Sequence, residues 1–146
     1  MKLINRLVII TLIANFIIPV GIEHEIGVLF LLEIVSPFEL FRAFSKSSFV
    51  NHYEIVDFVS GFVGLIGVAV VVWSFFIERQ LKKINAILIG SIFLVASYVI
   101  LISDIFTVND TRIPFFCGLP FFILVICLLF ASLKYRQSIS KTVSHE

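Results

Sequence analysis

The chain has 146 residues, 60% of them hydrophobic and 14% charged, with a formal net charge of +1. Soluble domains run nearer to about 45–50% apolar and about 25% charged, so this composition belongs to the membrane class. No stretch is left for a separate soluble domain and no basic block for nucleic acid, and Lys134, Arg136 and Lys141 are too sparse along the chain for an anionic-lipid cluster.

Every acid and base lies outside four apolar stretches, Leu7–Ile22, Phe58–Ile77, Ile84–Ser103 and Ile113–Leu133. About 20 such residues at 1.5 Å rise match a hydrocarbon core roughly 30 Å thick. The pattern predicts an all-α integral membrane protein, a bundle of four transmembrane helices at about 3–22, 55–77, 84–105 and 113–133. An amphipathic outer segment, 23–54, separates the first two spans, and 134–146 form a tail.

The first span begins with the basic run Met1–Arg6. Its nearest small-x-small signal, Pro19-Val20-Gly21, is a poor cleavage site, so it reads as a retained span. Asn15 is the strongly polar side chain well inside it, with Thr11 one turn earlier, and an interhelical hydrogen bond is its expected role.

In the outer segment, Ser36-Pro37-Phe38-Glu39 has the form of a capping box. The following helix places Phe38, Phe41 and Phe44 on one stripe, phenyl rings toward lipid and charges toward water. Ile26–Val35 is apolar but short and interrupted by Glu33. It fits an interfacial helix, a re-entrant element or a tilted fifth span, though a fifth span would invert every later loop. Asn51-His52-Tyr53-Glu54 places the start of the second spanning helix near His52.

In that second span Ser60, Gly64, Gly67, Val71 and Ser74 follow a 4-3-4-3 spacing, which lays small residues along one face, widened by Gly61. In the third, Ala86, Gly90 and Ser97 share a face interrupted by Phe93. The short linker Glu78–Lys83 makes these two helices antiparallel neighbours. Since lipid is as apolar as leucine, such small-residue faces are where helices meet, within one chain or between copies. In the fourth span Pro120, with Gly118 nearby, predicts a kink near Phe116–Leu119. Cys117 and Cys127, ten residues and so about 15 Å apart on that helix, are too distant for a disulfide.

With four spans and a cytoplasmic N-terminus, Lys2, Arg6, Arg79, Lys82, Lys83, Lys134, Arg136 and Lys141 lie inside. Only Arg42, Lys46 and Arg112 lie outside. Eight against three is a positive-inside bias that places both termini in the cytoplasm. Richness in Ile, Phe and Asn with a single Trp suits an AT-biased bacterial gene, and a bacterial inner membrane is taken as the default location.

The chemistry-bearing residues gather on the outer side: Glu23, His24 and Glu25 after the first span, His52, Glu54 and Asp57 before the second, and Asp104 after the third. Such groups suit zinc or manganese, or attract cations to a pore mouth. Yet no H-x-x-x-H, H-E-x-x-H or E-x-x-H spacing gathers them on one centre, so solvated headgroup-level charges are the plainer reading. No serine elbow, activated cysteine or phosphate-binding glycine loop occurs, so no catalytic residue, metal site or cofactor is expected. The expected role is a small non-catalytic membrane protein, a subunit or regulator acting through helix contacts in a larger membrane assembly. A homo-oligomeric channel or transport subunit is the alternative, and a membrane enzyme with an outer His/Glu metal site comes third.

Overall fold

The structure, a computed structural model, describes residues 1–17, 19–22, 25–28, 52–103 and 112–143. Four helices make up most of it: α1 (Lys2–Ile17), α2 (His52–Trp73), α3 (Gln80–Ser103) and α4 (Arg112–Val143). A short antiparallel hairpin, β1 (Pro19–Ile22) and β2 (Glu25–Val28), follows α1, and a single 3₁₀ turn, Ser74–Phe76, closes α2.

Among the described residues, three helical segments are long and apolar enough to cross a membrane: Phe58–Phe76, Gln80–Ile100 and Gly118–Ile139. The first apolar stretch behaves differently from expectation. Instead of running to residue 22, α1 stops at Ile17 after 16 residues, about 24 Å at 1.5 Å per residue. Pro19 lies two positions beyond, and proline both lacks an amide donor and pushes its predecessor out of the helical region. The chain then turns back on itself. The strand register pairs Val20 with Gly27 and Gly21 with Ile26, so each glycine faces a β-branched partner. Residues 26–28, expected in an interfacial or re-entrant element, are therefore strand. Phe38, Phe41, Phe44 and the capping box before them lie outside the described residues.

The helix starting at His52 begins where the Asn51-His52-Tyr53-Glu54 run placed it. At the other end α4 continues through Pro120 and ten residues past Leu133, so most of the expected tail is helix. Lys134, Tyr135, Arg136 and Gln137 hold no helix breaker, and nothing in that run opposes propagation of the preceding turns.

The helices pack in the order α2–α3–α4–α1, with β1 also against α4. One apolar cluster runs through all four, with Ile4 and Val8 from α1, Val71 from α2, Ile87 and Leu94 from α3, and Phe121, Val125 and Leu128 from α4. The polarity is inverted relative to a water-soluble bundle. Thr11, Asn15, Ser60, Ser91, Ser97 and Ser132 are buried, whereas Ile10, Phe62, Trp73, Ile92 and Phe130 point outward. Large apolar side chains exposed on every helix, with hydroxyls and amides turned inward, suit a hydrocarbon solvent and not water.

Candidate functional site

The most specific geometry lies where α2 meets α3. Ser60 Oγ donates to the Ser97 carbonyl at 2.9 Å, and Ser97 Oγ donates to the Ser60 carbonyl at 2.8 Å, a reciprocal pair across 37 residues of sequence. Two turns further along, Gly67 and Gly90 let the backbones touch. A methyl on Gly90 would lie 2.5 Å from Val71 Cγ2 and 2.9 Å from the Gly67 carbonyl oxygen. A methyl on Gly67 would lie 3.0 Å from the backbone nitrogen of Leu94 and 3.1 Å from the Gly90 carbonyl oxygen. Seven residues forward on α2 match seven residues back on α3, so one antiparallel register satisfies both contacts.

The structure thus brings Ser60, Gly67, Gly90 and Ser97 together inside a single chain. Gly64 is buried on the same α2 face and Ala86 is half-buried on α3. Ser74 is also buried, but its hydroxyl turns back to the Val71 carbonyl one turn earlier, at 2.6 Å. Ser91, which the spacing of small residues did not single out, does the same to the Ile87 carbonyl at 2.8 Å. Such back-bonding satisfies a hydroxyl within its own helix.

The α3–α4 contact is aromatic. Tyr98 stacks on Phe122 with centroids 5.0 Å apart, and a methyl on Gly118 would run into the Tyr98 ring. Gly118 therefore makes room for Tyr98, a role distinct from shaping the turn before Pro120. At the far end of the same contact, the Tyr135 hydroxyl reaches Gln80 Oε1 at 3.5 Å.

On α1, the buried residues Ile4, Val8, Thr11 and Asn15 recur at four, three and four positions, one continuous face. Asn15, 1% exposed, therefore sits on the packed side of the helix. The Thr11 and Ser132 hydroxyls are also enclosed, without a hydrogen-bond partner among the described residues.

The outer acidic and histidine residues divide in another way. Glu25 opens β2 opposite Ile22, and His52, Glu54 and Asp57 occupy the first turns of α2. Glu23, His24 and Asp104 lie outside the described residues. Among the described residues no group of three or more His, Cys, Asp or Glu could hold a metal ion. Near the linker between α2 and α3, the Lys83 ammonium stands 5.5 Å from the Phe75 ring centroid, a cation–π contact beside the exposed Trp73 and Phe76.

Comparison with known proteins returns nothing. No family model, no curated protein and no solved structure matches this chain.

Proposed function

We propose that this chain is a non-catalytic four-span protein of a bacterial inner membrane, both termini cytoplasmic, serving as a subunit or regulator of a larger membrane assembly. In this reading α1 makes the first crossing. The observation that carries it is the use of the small-residue faces. Ser60, Gly67, Gly90 and Ser97 are engaged inside the chain, so the glycine face of α2 meets α3 and is not free to line a pore. What remains for a partner is the apolar outer surface of the helices, where membrane proteins associate by close packing and interhelical hydrogen bonds.

The test is gentle copurification from native membranes followed by mass spectrometry of the intact complex. A foreign subunit in stoichiometric amount is the expected result. A defined homo-oligomer whose pure form conducts ions in liposomes would replace this reading with a channel.

A further inference from the structure

Two helical stripes face each other across an apolar groove of about 420 Å³ between α3 and α4. Asn85, Leu88, Ile89 and Ile92 supply one wall, at positions i, i+3, i+4 and i+7. Leu129, Leu133 and Arg136 supply the other, at i, i+4 and i+7. The groove opens outward, since Ile89 is 49% and Ile92 57% exposed.

The two helices run antiparallel, with Tyr135 beside Gln80. The one polar member of each stripe, Asn85 or Arg136, consequently stands toward the same end. Arg79, Lys82 and Lys134 are exposed at that end too, with Lys83 half-buried, against Glu78 as the one acid there among the described residues. Bases too sparse along the chain to form a cluster are thus gathered by the turn between α2 and α3 and by the helical extension of α4.

Depth makes the match specific. Seven steps from Asn85 to Ile92 cover about 10 Å, which lies within one leaflet of a core roughly 30 Å thick. Toward the basic end the groove passes from isoleucine and leucine to Arg136, whose charged side chain is exposed there. A phospholipid presents acyl chain and then phosphate in the same order.

We infer that this groove holds an acyl chain of an anionic glycerophospholipid, with the lipid phosphate on Arg136. Basic pockets between transmembrane helices bind such headgroups, and a neutral lipid would leave the cluster of bases without a counter-charge. A second copy of the chain would bring its own bases against these. The inference rests on the bilayer-spanning reading, which alkaline carbonate extraction of the membranes tests separately.

The experiment is native mass spectrometry of the full chain in mild detergent, titrated with phosphatidylglycerol or phosphatidylcholine of identical acyl chains. Phosphatidylglycerol is expected to be retained in preference, and Arg136→Gln to lower that preference about fivefold. Ile89→Trp, at an outward-facing position, is expected to fill the groove and reduce retention of both lipids. Equal retention of the two lipids by the unaltered chain overturns the inference. So does a preference unchanged in Arg136→Gln, displacement of the lipid by inorganic phosphate alone, or a dimer that Ile89→Trp dissociates.

Discussion

Gly90 shows how little room one residue position has in this molecule. Two of the three atoms nearest a methyl there are backbone, the Gly67 carbonyl oxygen at 2.9 Å and the Val71 nitrogen at 3.1 Å. The third, Val71 Cγ2 at 2.5 Å, belongs to a β-branched side chain with little rotameric freedom in a helix. No side-chain rotation relieves all three, so α2 and α3 must part. Gly90→Ala is therefore expected to destabilise the bundle by roughly 1–3 kcal/mol, the ordinary range for overpacking. Thermal unfolding in detergent reads this as a lowered midpoint, and an unchanged midpoint would remove the close approach. A hydrogen bond such as Ser60 to Ser97 is worth about 0.6 kcal/mol between membrane helices. At this contact the glycines outweigh the serines.

Pairs of helices carry the next level of information. The Ser60–Ser97 exchange and the Gly67–Gly90 approach specify one register of α2 on α3. A slip of one residue turns a side chain by about 100°, enough to break both. With Cys117 and Cys127 replaced by serine, the double variant Ser60→Cys, Ser97→Cys is expected to close a disulfide on mild oxidation. The two hydroxyl oxygens lie 3.4 Å apart, so sulfur atoms in their place need a closure of a little over about 1 Å to reach the roughly 2.05 Å of an S–S bond. Intact-mass measurement detects the loss of two hydrogens, and a pair that stays reduced would contradict the register. Tyr98 on Phe122 and Tyr135 beside Gln80 set the α3–α4 contact at two separated points.

Across the whole molecule, exposed apolar faces and buried polar groups point to lipid as the solvent, while charge decides orientation. Arg79, Lys82 and Lys83 sit together in the turn between α2 and α3 and supply three of the eight bases assigned to the cytoplasm. Replacing all three by glutamine leaves five against three. Because the bias of lysine and arginine sets orientation, this variant is expected to show mixed placement of a C-terminal reporter. The unaltered chain should show one orientation only. A variant that keeps a single orientation would mean that the bases at the two ends of the chain suffice.

Some of this was legible in the sequence alone. The absence of charge over about twenty residues at a time identifies a membrane helix, because the cost of burying charge in hydrocarbon acts residue by residue. The 4-3-4-3 run of Ser60, Gly64, Gly67, Val71 and Ser74 marked a packing face, because helical periodicity alone puts those positions on one side. The sequence by itself therefore determined the solvent class, the side of α2 that packs and three of the four long helices it predicts, the first of the four stopping at Ile17 instead. It did not determine the hairpin after Ile17, since strand pairing of Val20 with Gly27 is a contact between segments that neither segment shows alone. Nor did it show that Gly118 receives Tyr98, or that Arg136 and Asn85 close the same groove. Those depend on the antiparallel register of α3 and α4, which only close packing of the two surfaces decides.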